Sequence, residues 1–217
     1  LRTPLTALRL LADTLQAPAG QDPATARDLA SKIGAEVDTL SQMTLEMLDL
    51  TAIESGRQVI RLMPSRLVEV VRTAMERLGD QAARREIRME AEIPAELEVL
   101  ADVDQAARAI GNVLHNAVKF SPDGGAIEIR AWPEADGEQV TLSVTDDGPG
   151  IPPDELDRIF ERFFRGDRSR GTPGTGLGLA IVRHILRAHG GEAWAEDRQP
   201  PQRGAIFYLR FRSAHAA

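Results

Sequence analysis

The chain has 217 residues, 42% hydrophobic and 27% charged, enough for one large domain or a compact domain with a smaller appendage, which excludes collagen-like and wholly disordered chains. It contains no cysteine, so a disulfide scaffold, a thiolate zinc site, an iron–sulfur cluster and a cysteine nucleophile are all ruled out. A formal charge of −7 sets the molecule as a whole against polyanions, so nucleic acid is not an expected partner, and no apolar run approaches the roughly 20 residues of a spanning helix.

Leu1, Leu5, Leu8, Ala12 and Leu15 alternate spacings of four and three, the seam of an amphipathic helix that pairs with another. Gln16 to Asp22 reads as a turn, after which Asp22 caps and Pro23 opens a second helix. Leu29, Ile33, Val37, Leu40, Met43 or Thr44, Met47 and Leu50 continue the heptad there. A lone hairpin would expose this stripe, so a four-helix bundle built from two chains, a homodimer, is expected. The pattern begins at Leu1 already inside a helix, without an initiator Met or a signal-type start, and the chain is read as part of a longer protein.

Glu54-Ser55-Gly56 ends the helical pattern, and Val59, Ile60 and Leu62 suggest a short strand before Pro64. A helix over Leu67–Leu78, short strands near Ile87–Met89 and Val99–Leu100, and a helix over Val103–Phe120 follow. Ile127–Trp132 and Val140–Val144 flank an Asp136-Gly137 turn as an antiparallel hairpin. A glycine-, proline- and charge-rich stretch from Pro149 to Gly176 precedes a helix from Leu177 to about His189, with last strands at Ala193–Ala195 and Ala205–Phe211. The order is not the alternation of a doubly wound parallel sheet. It predicts an α+β fold, a helical hairpin over residues 1–55 followed over 56–217 by an α/β sandwich with a mixed sheet, Leu50–Pro64 acting as hinge.

Three elements carry chemistry. Asn112, Asn116 and Lys119, at i, i+4 and i+7, put two amides and a cation on one helical stripe; an amide oxygen can ligate magnesium, and an ammonium can neutralise phosphates that the metal bridges. Asp146-Asp147-Gly148-Pro149-Gly150-Ile151 ends a strand, where glycines permit close ligand approach and Asp146 can accept a hydrogen bond from an exocyclic amine such as adenine's. Gly174-Thr175-Gly176-Leu177-Gly178-Leu179 opens a helix whose unpaired N–H groups can hold phosphate. Taken singly, the stripe also fits a solvated helix face and the aspartate motif a plain strand-ending turn. The glycine motif lacks the strand and final spacing of a dinucleotide fingerprint and the lysine of a phosphate loop.

In this order the three elements resemble the ATP-binding domain shared by sensor histidine kinases, the heat-shock chaperone ATPase, type II topoisomerases and mismatch-repair ATPases. Asn112-x-x-x-Asn116-Ala117-x-Lys119-Phe120-Ser121-Pro122, Ile159-Phe160-x-x-Phe163-Phe164-Arg165 and the run GTGLGLAIVRHILRAHGG resemble specifically the histidine kinases of two-component systems. Leu1-Arg2-Thr3-Pro4-Leu5 is similar to the later part of that family's phosphoacceptor box, His-Glu-Leu-Arg-Thr-Pro-Leu, and on this reading the acceptor histidine precedes Leu1.

The resemblance implies ATP and Mg2+ as cofactors, with Asn116 the metal ligand, Asn112 beside metal and triphosphate, and Lys119 on phosphate. It implies Asp146 on the adenine amine, Gly148, Gly150 and Ile151 shaping the base pocket, and Phe120 and Phe164 at its edge. Gly174, Thr175, Gly176, Leu177 and Gly178 would wrap the phosphates, Arg165 would reach the γ-phosphate, and Pro152 to Pro173 would form a lid bearing Arg162, Arg168 and Arg170. Phe160 and Phe163 are expected as core that anchors this lid. Thr3 would orient water for dephosphorylating a partner, and Pro4 would loosen the first helix.

The activity implied is ATP-dependent histidine autophosphorylation followed by transfer to an aspartate of a response-regulator receiver domain docked near Leu5, Leu8 and Arg9. This portion would be cytoplasmic and touch no membrane, whether or not its parent is anchored in the inner membrane. His115 is expected to modulate the metal site at most, His184 and His189 to be surface or packing residues, and His189, before Gly190-Gly191, to end its helix as a cation. A non-catalytic ATP-binding interaction module and a hydrolase or serine kinase on the same nucleotide fold remain the alternative readings.

Overall fold

A computed structural model describes residues 2–17, 22–54, 60–166, 174–198 and 202–215. Two helices come first, α1 (Arg2–Gln16) and α2 (Pro23–Glu54), packed as a hairpin. Asp22 caps α2 as expected: its carboxylate accepts the Thr25 N–H at 2.9 Å and hydroxyl at 2.7 Å, which lowers its pKa. Among the described residues of the hairpin only Leu29 is buried, and α2 is 32 residues long against 15 for α1, so its second half outruns its partner. Val37, Leu45, Met47 and Leu48, with Leu5 and Leu10 on α1, are exposed. Val37 and Met47 belong to the predicted seam; Leu10, Leu45 and Leu48 do not.

Beyond the hairpin come β1 (Met63–Arg66), α3 (Leu67–Glu76), α4 (Gly79–Arg84), β2 (Arg88–Glu92), β3 (Glu98–Ala101), α5 (Val103–Phe120), β4 (Ala126–Pro133), β5 (Gln139–Asp146), α6 (Gly178–Ala188), β6 (Glu192–Asp197) and β7 (Ala205–Arg212). The strand expected before Pro64 lies instead at Met63–Arg66 and contains that proline. This is possible because β1 pairs only with β3, in a two-stranded sheet whose outer edge needs no donor. The single helix expected to Leu78 ends at Glu76, and a short second helix, α4, begins at Gly79.

The main sheet has the order β2-β4-β5-β7-β6, with β2 parallel to β4 and every other pair antiparallel, the mixed sheet that the pattern predicted. Alternation sets its two faces: Ile127, Ile129, Leu142, Val144, Leu209 and Phe211 point into the core beneath α3, α5 and α6. Helix α5 supplies the other half through Ile110, Val113, Leu114 and Val118, all fully buried, each worth roughly 1.5–3 kcal/mol of burial. The same periodicity turns Asn112, Asn116 and Lys119 out of that core.

His189 packs at the end of α6, as expected, but not as a cation. It is fully buried, its Nδ1 2.8 Å from the Ile185 carbonyl oxygen, and its Nε2 accepts the Asp102 N–H at 3.1 Å. A nitrogen that accepts carries no proton, so the ring is the neutral Nδ1–H tautomer, not a helix-ending cation. It ties the start of α5 to the end of α6.

Candidate functional site

Helices α5 and α6 run antiparallel. At one end His189 joins α6 to Asp102, and farther along the Asn112 side-chain amide donates to the Gly178 carbonyl at 3.3 Å, where α6 begins. Because α5 has 18 residues and α6 only 11, about two turns of α5 extend past the start of α6. Asn116 and Lys119 stand on that overhang, facing a helix N-terminus with its unpaired N–H groups.

The space between is a cleft of about 540 Å³, lined by Asn112, Asn116, Lys119, Phe120, Asp146, Gly150, Ile151, Phe164, Arg165, Gly174, Thr175, Gly176 and Gly178. Thirteen of the sixteen residues singled out from sequence therefore meet in one cavity. Gly148 lies behind the wall, where an added Cβ would sit 2.7 Å from Asp146 Oδ1. Leu177 is fully buried in the core and acts from below the turn. Thr3 lies in the first turn of α1, and its side chain is outside the described residues, as are that of Pro4 and all of Arg168, Arg170 and Pro173.

At one end of the cleft Asp146 is only 4% exposed. Its Oδ1 accepts the N–H groups of Gly148 at 2.8 Å and Ala205 at 3.2 Å, which fixes the carboxylate. Burial pushes its pKa up to about 6 despite those two donors and nearby Arg198. Arg198 donates to the Asp146 carbonyl at 3.1 Å and to Asp147 Oδ1 at 2.8 Å, and Asp197 Oδ1 accepts the Ile151 N–H at 2.9 Å. Gly150 has φ +76°, and an added Cβ would collide with Asp197, so only glycine lets β6 clamp this loop.

The opposite end is cationic. Burial, then the neighbouring Arg165 guanidinium, hold the Lys119 ammonium below the usual lysine range, and its Nζ lies 4.8 Å from the centre of the Phe120 ring. Thr175 Oγ1 accepts the Leu177 N–H at 3.2 Å and so shapes the turn into α6. Gly176, at φ +71°, approaches Phe163 closely, and its carbonyl accepts the Phe163 N–H at 2.9 Å. Phe160 is core, as expected. Phe163 is not: it is 45% exposed with φ +61°, held in that conformation by its bond to Gly176. Phe164 lies under the Arg158 guanidinium at 4.6 Å.

Sequence reasoning missed Glu46, Arg77, Arg108 and Glu155 among the lining residues. Arg108 was within reach, since it extends the Asn112–Asn116 stripe by one turn. The others come from elements whose approach no local pattern announces. Among the described residues no three His, Asp or Glu side chains cluster as a metal site. A magnesium ion here would therefore rest on one protein amide, Asn116, and otherwise on phosphate oxygens and water, a donor set this ion favours.

Comparison with known proteins agrees with this geometry. Residues 101–215 match the family profile described as histidine kinase-, DNA gyrase B-, and HSP90-like ATPase, and residues 1–56 match the His Kinase A (phospho-acceptor) domain. The sensor-like histidine kinase SenX3 of Mycobacterium tuberculosis is 35% identical over 213 residues, which is 96% of this chain and 50% of SenX3. The chain thus spans about half the length of these curated relatives. Full-length ShkA, solved in complex with AMPPNP, superposes with a TM-score of 0.72 at 26% identity, over 89% of this chain and 40% of that one. The histidine kinase ThkA, solved in complex with the response regulator TrrA, gives a TM-score of 0.77 at 25% identity, over 98% and 58% of the two chains.

Proposed function

Because this chain belongs to the sensor histidine kinases of two-component signal transduction, we propose that it is the catalytic portion of such a kinase, with residues 56–217 binding Mg-ATP and residues 1–55 dimerising and relaying the phosphoryl group. The observation that carries this reading is the overhang of α5. It sets Asn116 and Lys119 against the glycine-rich start of α6, while a buried carboxylate waits at the other end of the same cleft.

Asp146 accepts the adenine amine through the oxygen not committed to Gly148 and Ala205, and Gly150 and Ile151 floor the base. Gly174, Thr175, Gly176 and Gly178 hold phosphate with the N–H groups and dipole of α6, and Lys119 and Arg165 add positive charge. When bound at Asn116, magnesium screens phosphate charge. Arg165 steadies the γ-phosphoryl group while an imidazole nitrogen attacks it: an N–P bond forms, the β–γ P–O bond breaks and ADP leaves. The site performs little covalent chemistry of its own and works by placement and charge.

The exposed stripe Val37, Leu45, Met47 and Leu48 supports a homodimer, in which a second copy would cover it. The phosphohistidine then passes its group to an aspartate of a receiver domain docked on α1 near Leu5, Leu8 and Arg9. Thr3 sits one helical turn from the position the family resemblance gives the acceptor, where it would orient hydrolytic water.

The four histidines of the chain, His115, His184, His189 and His215, all lie outside the hairpin. Incubation of the 217-residue chain with labelled ATP should therefore leave it unlabelled, and adding His-Glu before Leu1 should produce acid-labile, base-stable label. Label on the unextended chain, or none on the extended one, would overturn the assignment. Asn116→Asp in the extended protein should reduce labelling.

A further inference from the structure

One residue of the hairpin enters the cleft. Glu46, in the second half of α2 and half-buried, accepts the Thr175 hydroxyl on Oε2 at 2.5 Å and lines the cavity with His115, Lys119 and Gly174. No other described hairpin residue lines it. Thr175 in turn accepts the Leu177 N–H at the mouth of α6, so the carboxylate is two hydrogen bonds from a helix start that attracts anions. The rest of that end is positive: Lys119 and Arg165 lie close enough for one to depress the other's proton affinity.

We infer that Glu46 is a surrogate anion, a carboxylate lent by the hairpin to the phosphate end of the cleft, so that the docked hairpin and a bound triphosphate exclude one another. The inference rests on the ATP reading above. A γ-phosphate at Thr175, Gly176 and Lys119 would share the threonine with a second negative group a few ångströms away, where solvent screening is weak. One of the two must withdraw. Thr175 cannot leave without undoing the turn into α6, so the group that withdraws is the Glu46 carboxylate, and α2 with it. Triphosphate therefore releases α2, and docked α2 lowers triphosphate affinity by the same factor, as linkage requires. The effect grows with the number of phosphates and vanishes for adenosine, which reaches Asp146 but not Thr175. A Glu46 that served only to pack α2 against α6 would not distinguish these ligands.

Titration calorimetry of the wild-type chain, Glu46→Gln and Glu46→Ala with Mg-ATP, Mg-ADP and adenosine tests this. Both variants should bind Mg-ATP roughly tenfold more tightly than wild type, within the usual range of site coupling, Mg-ADP less so, and adenosine unchanged. Glu46→Gln keeps an acceptor for Thr175 and its volume, which separates charge from packing. In wild type, saturating Mg-ATP should speed deuterium uptake around Glu46 in α2, and adenosine should not. Equal or weaker Mg-ATP binding by Glu46→Gln would overturn the inference and leave the ATP site standing. Absence of binding by wild type to ATP and adenosine alike would overturn both.

Discussion

Asp146 is ionised at neutral pH at a cost, because its carboxylate is buried and titrates near 6 instead of near 4. The sign follows from proton uptake: between those two values the folded state holds the proton more tightly than the unfolded chain, so acidification toward pH 4 favours the fold at this site and pH above 6 works against it. Asp146→Asn keeps an oxygen for the Gly148 and Ala205 N–H groups while removing the charge. It should stabilise the nucleotide-free protein by on the order of 2 kcal/mol at pH 7–8, a gain that disappears below about pH 4, in thermal melts across pH. The same change should abolish tight adenine binding. In wild type, ATP affinity should fall as the pH drops through 6, since only the ionised carboxylate accepts the amine without giving up an oxygen. Asp146 was legible because a strand ends there in a glycine motif. The clamp by Asp197 and Arg198 was not, because 46 to 52 residues separate those side chains from the groups they hold.

Among the elements, α5 was the most readable, since its apolar period and its polar stripe agree with one another over five turns. What fixes its far end was invisible. Arg85, beyond the short helix α4, spreads its guanidinium over the Val118 carbonyl, the Lys119 carbonyl at 3.1 Å and the Ser121 carbonyl at 2.9 Å, and pairs with Asp123 at 2.8 Å. These are carbonyls that a helix end leaves without donors, and they belong to the turn that carries Lys119 and Phe120. Arg85→Ala should cost about 1–3 kcal/mol in denaturant unfolding and weaken Mg-ATP binding. Arg85→Lys should recover little of either, because an ammonium cannot serve several acceptors from one plane. A lone arginine before a strand gives no sign of such a role. The break between α3 and α4 and the displaced strand β1 were hidden for a similar reason: β1 is held by its pairing with β3 and has no alternating pattern of its own.

Seen whole, the molecule divides its apolar surface unequally. The sheet and its helices bury theirs, while the second half of α2 leaves Leu45 at 59% and Leu48 at 63% exposed. If a second copy covers that stripe, Leu45→Glu with Leu48→Glu should turn a dimer into a monomer in light scattering, with ATP binding by the cleft retained. The heptad reading foresaw an unpartnered stripe but not its full membership, because it followed a seam of constant period, whereas α1 ends early and exposes residues on both sides of that seam.

The buried ring of His189 has a mechanical consequence. By joining the origin of α5 to the terminus of α6, it makes a fulcrum of that corner, and the two helices behave as the arms of a pair of tongs. The gap between them lies where Asn116 and the glycines face each other, so a larger occupant there is expected to tilt α6 about the pinned corner. Replacing that imidazole should loosen the grip at a distance of some 15 Å without touching anything the tongs hold.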